Sequence, residues 1–360
     1  MVLRFSALFF FCLCSQLSLA QVSYPILDQN PFSVRHRQIK LHNFPVQVIY
    51  PEGLDSMAQV TANQLENKLA QVGKGIQAPL HSWKVVLQNQ GMVSNGFVTL
   101  VAPRAEYFMI PSQDPSLIGT NDWIDLLVSH ESRHMFQNEM GRSGVSKWMY
   151  SLYGNNGQMA YTNLMIPNWL WEGDAVETET RVNGFGRSLI PQFKMPLRAY
   201  LDTFGVPHYA KLMGRSYREY VPNHYVFGQF FAQKLQQVYG QDVIGKLWQQ
   251  TLNRPSFFSF SRSIKNITGR SIDEFARESL RAQAAPQSVK TKPAGFTNYL
   301  YSTPINDSTY VVLKSGFDAN NQLILRMPHK EQRLTYLGPY FDNSMLSISA
   351  CSANNCLSFD

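Results

Sequence analysis

Apolar residues recur along this chain in two rhythms, and the change from one to the other organises it. The β-branched run FPVQVIYP (Phe44 to Pro51) reads as a strand. From Ser56 to Val72 the spacing of Met57, Val60, Leu65, Leu69 and Val72 suits one face of a helix. Two further strands are expected at WKVVLQ (Trp83 to Gln88) and GFVTLVAP (Gly96 to Pro103), giving a β-α-β-β opening. A helix is expected from Asn121, a capping residue, to Glu139, with Trp123, Ile124, Leu127, Val128, Met135 and Phe136 along one side. Pro167 to Arg181 and Tyr225 to Val238 read as further helices, and Ser271-Ile272-Asp273-Glu274 as a capping box opening another that runs to about Ala285.

The period then changes. Residues 286–293 (PQSVKTKP) are polar and proline-bounded, the texture of a linker. TYVVLKS, NQLILRM, RLTYLG and MLSISA follow, separated by turn residues in the rhythm of an antiparallel meander. Closed propellers need at least about four blades. The strands of 294–360 therefore form either a small β module or incomplete propeller blades, after a main domain spanning 21–285.

The ends and the charge refine this picture. Residues 1–20 combine a basic start, an apolar run and a small-residue exit at Ser18-Leu19-Ala20, the pattern of a cleaved secretory signal. Secretion to the medium or the periplasm follows, with no stable membrane insertion after cleavage. Cys12 and Cys14 leave with the signal; lipidation at Cys14 is disfavoured by Phe11-Cys12-Leu13 before it. Cys351 and Cys356 remain as a pair that an oxidising compartment would bridge. The net charge of +7 is spread thinly, without the basic-aromatic signature of a nucleic-acid binder, and implies only a mild preference for acidic surfaces.

His130-Glu131-Ser132-Arg133-His134 is an HExxH motif on an expected helix. Residues four apart share a face, so both imidazoles can reach one ion while Glu131 reaches a water beside it. An accidental HExxH arises in roughly one chain in a hundred. PNWLWEGDAVETET then offers a third ligand among Glu172, Asp174, Glu177 and Glu179.

WLxEGxAxxxE resembles the third-ligand helix of gluzincin metallopeptidases, especially their aminopeptidase-like branch, and VPNHYVFG (Val221 to Gly228) is similar to the segment carrying their transition-state tyrosine. The resemblance spans roughly residues 40 to 285, though Trp171 stands where that branch has Asn, and the separation of His134 from Glu172, longer than in compact gluzincins, implies an inserted loop rich in Gly, Ser, Asn and aromatics from Gly141 to Asn163. It implies an α+β, zincin-like (thermolysin-like) domain holding one zinc ion through His130, His134 and Glu172. It further implies Glu131 as general base, Tyr225 or His224 as oxyanion donor, and Glu179 as an outer acceptor. No GAMEN-type motif is present, so exopeptidase activity is not implied. The whole layout resembles exported proteins of the peptidase-MA-like group, the C-terminal strands resembling the start of a TolB-like propeller. Peptide or protein substrates are expected; the alternatives are a catalytically silent scaffold on the same fold and a zinc hydrolase of non-peptide amides or esters.

Overall fold

Alternating β-branched and aromatic residues build the first layer. The computed structural model describes residues 34–89, 93–112, 122–216, 220–283, 297–316, 321–337, 348–350 and 357–359. Strands β1 (His36–Lys40) and β2 (Val46–Pro51) pair antiparallel, helix α1 (Asp55–Val72) crosses over, and β3 (Trp83–Gln88) returns parallel to β2. A hairpin follows: β4 (Gly96–Thr99) pairs antiparallel with β5 (Arg104–Phe108), which lies parallel to β3. The order β1-β2-β3-β5-β4 leaves β4 on an edge.

Period-two burial fixes the register. Val46, Val48 and Tyr50 of β2 and Trp83, Val85 and Leu87 of β3 are buried, with Val46 opposite Trp83 and Val48 opposite Val85. Slipping by one residue would turn this set outward. Helix α1 covers the sheet with Ala58, Ala62, Leu65, Leu69 and Val72, spaced three or four apart. Each large apolar side chain so buried contributes about 1.5–3 kcal/mol.

The helices that follow are α2 (Trp123–Gly141), α3 (Gly144–Met165), α4 (Asn168–Asn183), a 3-10 turn (Arg187–Leu189), α5 (Pro191–Phe204) and α6 (Tyr209–Gly214). After them come α7 (His224–Tyr239), α8 (Val243–Leu252), α9 (Ser259–Thr268) and α10 (Ile272–Arg281). Sheet and helices share one hydrophobic core. Helix α2 is buried on all sides from Ile124 to Gln137 apart from Asp125, as befits an element between the sheet and the other helices. Its cap is Asp122, whose carboxylate accepts from the Asp125 amide; the expected cap, Asn121, lies outside the described residues. The capping box of α10 forms, with Ser271 and Glu274 bonded reciprocally.

Helices α4 and α7 make the closest crossing. A β-carbon on Gly173 would overlap the Gly228 carbonyl, and one on Gly228 would overlap the Trp169 carbonyl. Only glycine at both positions lets the backbones touch.

Four sequence expectations are corrected. Gly141 to Asn163 is not a loop: nearly all of it is α3, whose one non-helical residue, Gly154 (φ 62°), kinks it. Gly96 to Pro103 is not one strand, because Leu100 to Pro103 turn the chain into β5. The opening is accordingly a five-stranded sheet and not a four-element unit. Helices α5, α6, α8 and α9 fill a region in which only α7 and α10 were expected.

At the C-terminal end β6 (Thr297–Asn306), β7 (Thr309–Gly316), β8 (Gln322–Met327) and β9 (Lys330–Tyr336) form an antiparallel meander in sequence order. It has its own small core of Val311, Leu313 and Leu323. β10 (Ile348–Ala350) pairs with β11 (Leu357–Phe359). Among the described residues these strands close no barrel or propeller. Residues 1–20, the segment 286–293 and the Cys351/Cys356 pair lie outside the described residues. No described helix is long and apolar enough to cross a membrane.

Candidate metal centre

Three elements converge behind the edge strand. Helix α2 presents His130 and His134 one turn apart, and α4 brings Glu172 over them. Glu172 Oε2 lies 3.3 Å from His130 Nε2 and 3.3 Å from His134 Nε2. The three donor atoms all fall within 4.8 Å of one another. Ligands each about 2.0–2.1 Å from a shared tetrahedral ion stand about 3.3 Å apart, so the two measured edges suit zinc.

The outer hydrogen bonds decide what these atoms are. His134 Nδ1 faces Gln137 Oε1 at 2.7 Å, and Gln137 is oriented by donating its amide to the Trp171 carbonyl and to Asp174 Oδ2. His130 Nδ1 lies 2.9 Å from Glu179 Oε2. The Arg187 guanidinium, whose NH2 is 2.6 Å from the same Nδ1, donates to both Glu179 oxygens at 2.8 and 2.7 Å, so the carboxylate accepts from both neighbours. His134 Nδ1 is therefore the donor to Gln137, and in both rings Nε2 is the nitrogen turned toward the carboxylate and the one that would bind a cation. Glu172 Oε2 is buried without a hydrogen-bond donor. Two imidazole nitrogens and a carboxylate oxygen facing one another in a buried site are a donor set for a cation.

Charge within the site is strongly perturbed. Burial opposes the Glu172 charge, but His134 and His130 hold its carboxyl well below the ordinary value. Burial likewise disfavours His134⁺; in the metal-free chain Glu172 overrides this and raises the imidazole to about 9. Glu179 is buried, yet Arg187 holds it at about 2. Glu131 moves the other way: burial pushes it up, offset by the two histidines. It sits on the α2 face nearest β4, where a β-carbon on Gly96 would stand 2.8 Å from its Oε1. That close approach brings the edge strand alongside the Glu131 carboxyl.

Helix α7 closes the site. The Gly173–Gly228 crossing sets Tyr225 against α4, its ring stacked on His130 with centroids 6.4 Å apart and its hydroxyl within the field of Glu172. Burial, then the Glu172 carboxylate, pushes that hydroxyl well above its usual range, which leaves it a proton donor. His224, partly buried beside Tyr225, is lowered by burial. The Arg187 guanidinium lies over the Tyr225 ring at 5.5 Å.

All six residues singled out from the sequence, His130, Glu131, His134, Glu172, Tyr225 and His224, therefore cluster at one place. The competing acids on α4 have other partners. Asp174 is bonded by the Arg133 guanidinium at 2.7 and 2.9 Å, Glu177 accepts from Gln229 at 2.8 Å, and Glu179 serves His130. Sequence reasoning missed Gln137, Arg187 and the wholly buried Arg133–Asp174 pair. The i,i+3 spacing of His134 and Gln137 offered a signal; Arg187, in a glycine-flanked turn, offered none.

No protein-family model matches this chain, and no curated protein sequence matches it. Among solved structures it is similar to an aminopeptidase N family protein from Idiomarina loihiensis, with 12% identity and a TM-score of 0.39. The match covers 83% of this chain and 57% of that one, so this chain spans little more than half of that protein's length.

Proposed function

We propose that the protein is an exported zinc-dependent peptidase whose ion is held by His130, His134 and Glu172. The observation that carries this reading is the convergence of two imidazole Nε2 atoms and a buried carboxylate oxygen, 3.3 Å apart along both measured edges. Zinc bound there would supply Lewis-acid polarisation of a carbonyl and a water with a pKa near about 7.

The chain's own residues divide the remaining work. Glu131, raised by burial yet flanked by two histidines, is placed to take a proton from the attacking water and pass it to the leaving amine. Tyr225, held protonated, donates to the developing oxyanion; His224 is the other donor within reach of that side. Loss of one such donor costs about a hundredfold or more in rate. Among the described residues no strand pairs with the outer side of β4 beside Glu131, which allows an extended peptide to pair there, and that favours a peptide over a small ester. Export rests on residues 1–20 alone.

The test measures metal content together with cleavage of a mixed peptide library. The parent should hold one equivalent of zinc and cleave. Glu131→Gln keeps all three ligands and should retain zinc while losing at least about a hundredfold in rate. Glu172→Gln should lose zinc under mild chelation. Equal cleavage by Glu131→Gln and the parent overturns the mechanism. Zinc retention by Glu172→Gln with loss in Glu177→Gln would mean that another acid is the ligand.

A further inference from the structure

The apolar surface of this chain is not evenly spread. In α3, Trp148 is 72% exposed and Leu152, one turn on, 69%; in the turn between α8 and α9, Phe257 is 80% and Phe258 70% exposed. Four large apolar side chains standing this far into solvent on two segments call for a partner.

The two segments are tied together. A β-carbon on Gly144, one turn before Trp148, would meet the Leu252 carbonyl and the Asn253 side chain, and the Tyr161 hydroxyl donates to the Arg254 carbonyl at 3.2 Å. The charge carried by the two segments has one sign. No Asp or Glu occurs from Arg142 to Trp171, nor from Asn253 to Ile272. Lys147, Arg254 and Arg262 are exposed, and among the described residues none has a carboxylate at ion-pair distance; Arg270, further along, is paired with Glu278.

We infer that this aromatic and cationic face adsorbs the protein to an anionic lipid surface, with Trp148, Phe257 and Phe258 entering the headgroup boundary. Aromatic side chains flanked by Lys and Arg, without acids, are the composition that such an interface selects. A protein partner would more often meet a patch whose centre is depleted of charge. The contact is peripheral, in keeping with the absence of a membrane-crossing helix among the described residues.

The experiment sediments the full chain with vesicles of phosphatidylcholine alone or with about one-third phosphatidylglycerol. Binding should require the anionic lipid and weaken with salt. Each cation contributes roughly a fivefold factor, so Lys147→Gln/Arg254→Gln/Arg262→Gln should bind roughly a hundredfold more weakly. A second triple, Trp148→Ser/Phe257→Ser/Phe258→Ser, should bind weakly to both vesicles; unchanged melting midpoints show that both triples are folded. Equal binding to neutral and anionic vesicles, or parental binding by the folded triples, overturns the proposal. So does a parent that ignores vesicles but dimerises in a manner abolished by the aromatic triple, which would make the face a contact between copies.

Discussion

At the scale of single residues, Arg187 and Glu179 hold the site from behind. Glu179 faces His130 Nδ1 at 2.9 Å, and Arg187 neutralises Glu179 in a buried setting. Outer-sphere partners of this kind change metal affinity by about 10- to 100-fold. Glu179→Gln should therefore weaken zinc by that factor in chelator competition. Arg187→Met should in addition lower stability by about 3–5 kcal/mol in urea denaturation, because it strands a buried carboxylate. Unchanged zinc affinity in Glu179→Gln would confine that residue to a role in folding. The pH dependence has a definite sign. The Glu179 carboxyl is depressed from 4.5 to about 2 on folding, so its contribution is present above the ordinary value and is lost as pH falls from 4.5 toward about 2. In Glu179→Gln that part of the acid-induced loss should be missing from unfolding curves.

At the scale of elements, the crossing of α4 and α7 positions both Glu172 and Tyr225. A methyl group on Gly173 has backbone and not a flexible side chain in its way, so the helices must separate. Gly173→Ala should cost at least about 1–3 kcal/mol in urea denaturation and loosen zinc as well. Gly214→Ala, at the end of α6 with open space around it, should alter neither. A Gly173→Ala protein as stable as the parent would show that the two helices are not held at contact distance. Elements that carry the ligands were legible in the sequence because their signals are local: the four-residue spacing of His130 and His134, the WLxEG run, the Ser271–Glu274 box. What escaped depended on tertiary context. Trp148 and Leu152 point to solvent, so α3 has little apolar periodicity to read, and its glycines and asparagines resemble a loop. β5 escaped because RAEYF buries Glu106 beside Arg104 and Gln88, a polar strand interior that hydrophobic pattern alone assigns elsewhere. Arg187 became visible only once folding laid its turn against Glu179.

At the scale of the molecule, the described residues hold two hydrophobic cores with no member in common, one uniting the first sheet with the helices and one inside the C-terminal meander. Calorimetry should then resolve two transitions. Only the one belonging to the larger core should respond to metal, rising by about 2.7 kcal/mol when free zinc exceeds its dissociation constant a hundredfold. A single transition, or a shift of both on adding chelator, would show that the cores unfold as one. Within the larger core the site and the fold meet at Arg133, a middle residue of the motif itself. Its guanidinium bonds the Asp174 carboxylate and the carbonyls of Val72 and Lys74, joining α2 to α4 and to the end of α1. Chemistry and architecture are therefore written in neighbouring codons but have different freedom to drift. On the function proposed above, a lineage that gave up catalysis would be free to replace Glu131, whereas replacing Arg133 or Asp174 alone leaves an ion unpaired in the interior. Descendants that have lost Glu131 should therefore still keep that pair.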